Sequence, residues 1–122
     1  MTKSIPDLCR LLPDSEPEIR ERADEFNRAV WLAVAKDMYT ATQGTPDYLN
    51  SIADAKAATD VMIAKGCWLR VVCVGRDYEC TITWVNQDGR IQTPDIIPRT
   101  STEELARSAA ALLASEAMED KR

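Results

Sequence analysis

Histidine does not occur among the 122 residues. Its absence removes Ser-His-Asp and Cys-His nucleophile systems as these are ordinarily built. Glycine is sparse and scattered, four residues in all, and neither G-x-G-x-x-G nor G-x4-G-K-[ST] occurs. No glycine-rich phosphate loop is therefore expected. Lysine and arginine form no run, and the net charge is −5, so the basic stripe of a nucleic-acid or anionic-membrane binder is missing. The longest wholly apolar run, Ala29–Ala35, is far short of the roughly 20 residues that a membrane helix requires. The opening MTKSIPDLCRLLPD lacks the apolar stretch of a signal peptide. Reduced thiols in a bacterial host cytoplasm are expected on that reading.

What is present suits one globular domain over residues 1–122, with 45% apolar and 29% charged residues. Three of the four cysteines cluster in CWLRVVCVGRDYECTITW, residues 67–84. The spacing Cys67-x5-Cys73-x6-Cys80 has no short-spaced pair, as a closed zinc site would need. No metal and no cofactor are expected. Strand parity gives the plainer account: Leu69, Val71 and Cys73 share one face, and Cys80, Ile82 and Trp84 share one face of the next strand. Pairing 73 with 80, 71 with 82 and 69 with 84 brings the six together as core. Glu79, Thr81 and Thr83 then point away, and Gly75–Tyr78 forms a four-residue loop. A register one residue tighter, Val72 with Cys80, is the alternative. Oxidation could join Cys73 and Cys80 if they are neighbours.

Elsewhere the pattern alternates between helix and strand. Residues 1–14 read as an irregular arm whose Ile5, Leu8, Leu11 and Leu12 are free to pack. A capping box at Ser15–Glu18 opens a first helix over 15–39 with Ile19, Phe26, Val30 and Val34 inward. A second box, Ser51–Asp54, opens a helix that Gly66 closes, with Ile52, Ala55, Ala58, Met62 and Ile63 on its inner face. Strands are expected at Trp68–Val74, Tyr78–Val85 and Arg90–Thr93, with a turn at Asn86–Gly89 and an edge or loop between Pro94 and Pro98. A third box, Ser101–Glu104, opens a last helix with Leu105, Ala109, Leu112 and Leu113 inward. The fold class is α+β: a three-stranded antiparallel meander packed with three helices in the order α-α-β-β-β-α, layered as a helix/sheet/helix sandwich.

The stretch Pro46-Asp47-Tyr48-Leu49-Asn50-Ser51-Ile52-Ala53-Asp54-Ala55, the later Gly66-Cys67-Trp68, Trp84 on a strand and the alanine-rich helix Glu103–Leu113 resemble the phage ABA sandwich domains, a family of small phage and prophage proteins. The resemblance spans about residues 45–115. It implies a helix–sheet–helix core and a viral accessory setting, and it carries over no catalytic residue.

Carboxylate pairs such as Glu18/Glu21, Glu103/Glu104 and Glu116/Asp120 fall at helix ends or on polar faces, and the first two are explained by the helix dipole. The expectation is a small acidic protein, not an enzyme, that binds a host or phage protein, one form being inhibition of a host defence factor. Two surfaces are candidates. From Ala29 the first helix turns apolar all round, so Trp31, Leu32, Ala35 and Tyr39 need a cover. Either the arm supplies it through Leu8, Leu11 and Leu12, or these residues form a homodimer seam or partner site. Trp68 and Arg70, opposite the sheet's core face, could instead stack on and pair with an anionic ring such as a nucleotide signal. Packing beneath a covering helix is the plainer reading of that pair.

Overall fold

The computed structural model describes residues 3–34, 46–94 and 96–120. Among the described residues five helices and four strands follow in the order α1 (Ile5–Arg10), α2 (Glu16–Glu21), α3 (Ala23–Val34), α4 (Ile52–Ala64), β1 (Trp68–Val74), β2 (Asp77–Val85), β3 (Ile91–Gln92), β4 (Arg99–Thr100) and α5 (Glu103–Asp120). The fold is α+β, with helices packed on an antiparallel sheet. Among the described residues two more helices and one more strand form than the pattern announces.

The additional helices come from the N-terminal third. The segment read as an irregular arm contains α1: Ser4 Oγ accepts from the Asp7 N–H (3.3 Å), Pro6 sits in the first turn and Arg10 in the last. Ile5, Leu8, Cys9 and Leu12 enter the core. The expected single helix over 15–39 is broken at Arg22, whose backbone leaves helical geometry at φ −109°, ψ 40°. Neither proline nor glycine marks the break. The tie is tertiary: Arg22 Nη1 donates to the Lys3 carbonyl (2.7 Å), and Nη2 reaches Glu25 (2.5 Å). The bend lets Ile19 of α2 and Phe26 of α3 both bury fully. Ser15 makes no side-chain cap; its hydroxyl donates to the Leu8 carbonyl instead. Residues 35–39 of the expected helix lie outside the described residues.

Asn27 of α3 is a buried polar residue with a structural task. Its Oδ1 accepts from the Leu49 N–H (3.2 Å), while Asp47 Oδ1 accepts from the Asn50 N–H (3.1 Å) and the Asp47 N–H donates to Asp54 Oδ2 (2.8 Å). Ser108 Oγ donates to the Tyr48 carbonyl (2.8 Å). These bonds satisfy a turn pressed between α3 and α5, which explains the polar residues of the Pro46–Asp54 stretch without any chemistry. Ser51 then caps α4, accepting from the Asp54 N–H (3.3 Å). Gly66, at φ +95°, follows α4 as expected. The inner face of α4 differs from expectation: Ala55, Ala58, Thr59, Val61 and Met62 are buried, whereas Ile52 and Ile63 are exposed. The buried stripe is rotated towards Val61, away from the side that carries Ile52 and Ile63, and α4 packs on α5.

β1 pairs with β2 along its whole length: Trp68 lies opposite Thr83, Leu69 opposite Ile82, Val71 opposite Cys80 and Cys73 opposite Tyr78. Both expected registers are corrected. The observed one is two residues tighter than the first, leaving only Gly75-Arg76 as the loop. Gly75 has φ +64° and Arg76 stays at negative φ, the signature of a type II′ hairpin turn, whose twist matches that of the strands. A two-residue slip preserves side-chain parity, so the β2 half of the expected core face survives, with Cys80, Ile82 and Trp84 buried; of the β1 half, Leu69 and Val71 are only half-buried and Cys73 is exposed, because β1 is an edge strand. Asn86–Gly89 turns the chain, with Asn86 Oδ1 accepting from the N–H groups of Asp88 and Arg90. β3 and β4 pair with opposite ends of the other edge of β2, so they act as one edge strand interrupted between Pro94 and Pro98.

The middle of the molecule is α5. Its cap is Thr102, whose Oγ1 accepts from the Leu105 N–H (3.4 Å), rather than Ser101. Ser101 is taken by Glu16, which accepts from its N–H (2.8 Å) and its hydroxyl. From Leu105 to Ser115 every residue but Arg107 is buried. The sheet lies on one side of α5, and α3 and α4 pack on its other sides.

Candidate interaction surface

The sheet has two unlike faces. α5 packs against β2 on the side of Cys80, Ile82 and Trp84. Residues of opposite parity, Trp68, Arg70, Thr81, Thr83 and Val85, share the other face, and Ile91 joins them opposite Val85. Trp68 is 56% exposed and Ile91 72% exposed, and Val85 between them is exposed as well. An indole, an isopropyl and a sec-butyl group thus form an apolar strip across the end of the sheet. Arg70 is exposed two residues from Trp68 on the same face, and it forms no ion pair among the described residues. Covering of Trp68 by a helix, the plainer expectation, is not what the structure shows. Cross-strand neighbours on a common face stand about 4.5–5.5 Å apart, so Trp68, Thr83 and Val85 are contiguous.

The second surface lies on α3. Trp31 is 39% exposed and Leu32 50% exposed. The N-terminal segment does fold back, but Leu8 and Leu12 go into the core and Leu11 stays exposed, so it leaves both residues open to solvent. Ala35 and Tyr39, grouped with them from the sequence, lie outside the described residues.

The thiols belong to the core in three of four cases. Cys9, Cys67 and Cys80 are buried and Cys73 is exposed. Burial pushes the Cys9 and Cys80 thiols up to about 12 and raises that of Cys67, the reverse of what a nucleophile needs. The Cys67 Sγ instead touches Met118 Sδ at 3.8 Å. Cys73 and Cys80 sit diagonally rather than opposite, because the register pairs them with Tyr78 and Val71. Diagonal neighbours are about 7–8 Å apart, too far for the disulfide that oxidation of a facing pair could form. Among the described residues no three metal-ligating side chains gather, and no helix is long and apolar enough to cross a membrane.

No protein-family model, no curated protein and no solved structure matches the chain. The site therefore rests on geometry alone. Two open clefts of about 270 Å³ lie elsewhere: one along Lys3, Leu8, Leu11 and Glu18, the other around the α2–α3 bend at Glu21–Glu25. Each has acidic residues in its lining and neither includes Trp68 or Trp31.

Two of the acidic residues singled out from the sequence, Glu103 and Glu116, serve as ties. Glu103 holds Arg107 (2.6 Å), which also donates to the buried Thr59 hydroxyl (3.1 Å). Glu116 pairs with Arg10 and so fastens α1 to α5. The sequence reading missed Glu16, whose carboxylate joins α2 to the β4–α5 junction. Only its distance partners identify it, and those are 85 residues away.

Proposed function

We propose that this chain is a small non-enzymatic binding protein, and that it acts by protein–protein contact through the outer face of its sheet. The observation that carries the reading is the uncovered strip of Trp68, Val85 and Ile91. An exposed indole on a rigid strand supplies large contact area at low entropic cost, and tryptophan is enriched among interface anchors. The occupant suited to it is a folded protein surface offering an apolar patch, with an acidic group able to meet Arg70 on the same face. The resemblance to phage ABA sandwich domains adds a phage or prophage accessory setting in the host cytoplasm, with inhibition of a host defence factor as one form of the activity.

The test is capture from bacterial host lysate by three proteins in parallel: wild type, Trp68→Ala and Trp31→Ala. A stoichiometric partner kept by Trp31→Ala and lost by Trp68→Ala supports the reading. Loss in Trp31→Ala alone moves the contact to α3. Capture of nothing by the wild type counts against the whole class.

A second reading has one specific observation behind it. Trp68 and Arg70 are both exposed, on one face, and the guanidinium has no ion-pair partner among the described residues. That is the arrangement an anionic ring compound would stack on and pair with. The face is a sheet surface rather than a concave pocket, which is the usual form of a small-ligand site. A thermal-shift screen with nucleotides and cyclic dinucleotides separates the two, because a ligand bound to the native state must raise Tm.

A further inference from the structure

Two sulfur atoms meet where the start of the sheet reaches the end of the last helix. Cys67 stands immediately before β1, and Met118 lies in the final turn of α5. The Cys67 thiol donates towards Met118 Sδ at 3.8 Å, although the two residues are 51 apart in the chain. Cys67 belongs to the core, and Ala117 and Met118 pack against that core. The contact therefore joins the α4–β1 junction to the end of α5. The methionines differ in how far solvent reaches them. Met62 is fully buried, Met118 is half-buried, and Met1 and Met38 lie outside the described residues. Among the described residues Met118 is thus the thioether open to a small dissolved reagent.

The two sulfurs are not equally reactive. A thiol meets oxidants as its thiolate, and Cys67 is buried with its thiol pushed up by that burial. A thioether has no proton to lose, so access alone limits it. We propose that Met118 is an oxidation site for hydroperoxides, and that its sulfoxide loosens the joint between α5 and the start of β1. A lone pair of Met118 Sδ attacks one peroxide oxygen. The S–O bond forms as the O–O bond breaks, and the proton on the transferred oxygen passes to the leaving hydroxide. With hydrogen peroxide the products are the sulfoxide and water: the sulfur is oxidised and the peroxide reduced.

The position of the pair gives the added oxygen its effect. A sulfoxide turns a flexible apolar side chain into a polar one and disrupts the packing around it. An oxygen on the inner side of Met118 takes the place of the Cys67 thiol, and one on the outer side draws the side chain towards water. Either separates the two sulfurs. Cys67 itself is tied down, because its N–H donates to the Met62 carbonyl at the end of α4 (3.1 Å). The body of α5 is enclosed as far as Ser115. What gives is the last turn of α5, and Cys67 is uncovered as it does. Sulfoxide reductases return the thioether, so the change is reversible.

The test treats the intact chain with hydrogen peroxide and follows it by peptide mass spectrometry and thermal unfolding. Met118 is expected to gain an oxygen well before Met62. Tm is expected to fall by about 4 °C or more, the size of shift that a lost core contact produces in a domain of this length. Methionine sulfoxide reductase should restore it. Met118→Leu nearly conserves volume and should leave Tm indifferent to peroxide. Oxidation of Met62 in step with Met118 overturns the site, and a Tm that ignores Met118 oxidation overturns the joint. An equal fall of Tm in Met118→Leu overturns both, since the sensitive group then lies elsewhere. Should Met118→Leu lose its fold, alkylation of Cys67 in the wild type takes its place. After peroxide and then dithiothreitol, which returns reversibly oxidised thiols and leaves the sulfoxide, Cys67 is expected to alkylate faster than before, and the reductase to slow it again. A Cys67 rate that peroxide does not change overturns the proposal.

Discussion

The three tryptophans differ mainly in exposure, and that difference sets a graded stability test. Trp84 is 5% exposed against α5, whereas Trp68 projects from the opposite face of the same sheet. Trp84→Ala removes a large ring from a close-packed core and leaves a cavity, which costs about 3–5 kcal/mol. Small domains hold about 5–15 kcal/mol in all, so this variant loses a large fraction of its stability. With a urea m-value of about 1.5 kcal/mol/M, the unfolding midpoint should fall by about 2–3 M. Trp68→Ala gives up only the area that neighbours shield on an open face. Its cost is expected at about 0.5 kcal/mol or less, the ordinary range for surface substitutions. Urea unfolding followed by far-ultraviolet circular dichroism keeps the readout independent of the indoles removed. Equal midpoints for the two variants would refute the assignment of faces. A large loss in Trp68→Ala alone would mean that another element covers the outer face.

Three further outcomes follow from the geometry. Burial raises the Glu16 carboxyl, but the Ser101 N–H and hydroxyl and Arg20 outweigh it and hold the group below its ordinary value of 4.5. The stability it supplies is present above that value and is lost as pH falls through the lowered folded one; Tm curves of wild type and Glu16→Gln should therefore converge in acid, and curves that stay parallel would contradict the tie. In native protein at pH 8 an aromatic disulfide reagent should find Cys73 quickly and Cys9 and Cys80 only after denaturation; a fast phase that survives Cys73→Ser would be inconsistent with the burial of the other thiols. Gly75→Ala meets no atom within 4 Å of the new Cβ, so its cost is the positive φ alone, about 1 kcal/mol, and Gly75→Asn should lose less Tm because asparagine tolerates that region better.

What the sequence disclosed were the features with local causes. Alternation over Trp68–Val74 and Tyr78–Val85 fixes strand parity, and the buried trio of Cys80, Ile82 and Trp84 follows from it. Ser51 and Gly66 bracket α4 because a side-chain oxygen and a positive φ act within a turn of where they sit. The register was less legible, since Gly75–Tyr78 is compatible with more than one loop length. Parity does not distinguish registers that differ by two residues, and closure by Gly75-Arg76 decides it through strand twist. The break at Arg22 was hidden for a different reason. Its partner is the Lys3 carbonyl, 19 residues away, and no residue at the break disfavours helix.

The placement of α5 shows where pattern reading stops and packing begins. A hydrophobic stripe read from Leu105, Ala109, Leu112 and Leu113 describes a helix with one buried face. Ala106, Ala110, Ala111 and Ala114 are buried as well, so the helix is enclosed on nearly every side. Alanine has little apolar surface to signal burial, yet its small volume is what lets neighbouring elements approach closely from several directions. The serines on α5 fit the same account: Ser108 donates to the Tyr48 carbonyl and Ser115 to the Ala33 carbonyl, so the helix meets its neighbours' backbones through hydroxyls as well as methyl groups. With α5 occupied all round by α3, α4 and the sheet, it offers little free surface. Among the apolar groups left exposed, Trp68, Val85 and Ile91 on the outer sheet and Trp31 and Leu32 on α3 lie at the periphery of the core that α5 organises. Neither patch is needed to complete that core, and for the outer sheet this separation is the ground of the proposed contact.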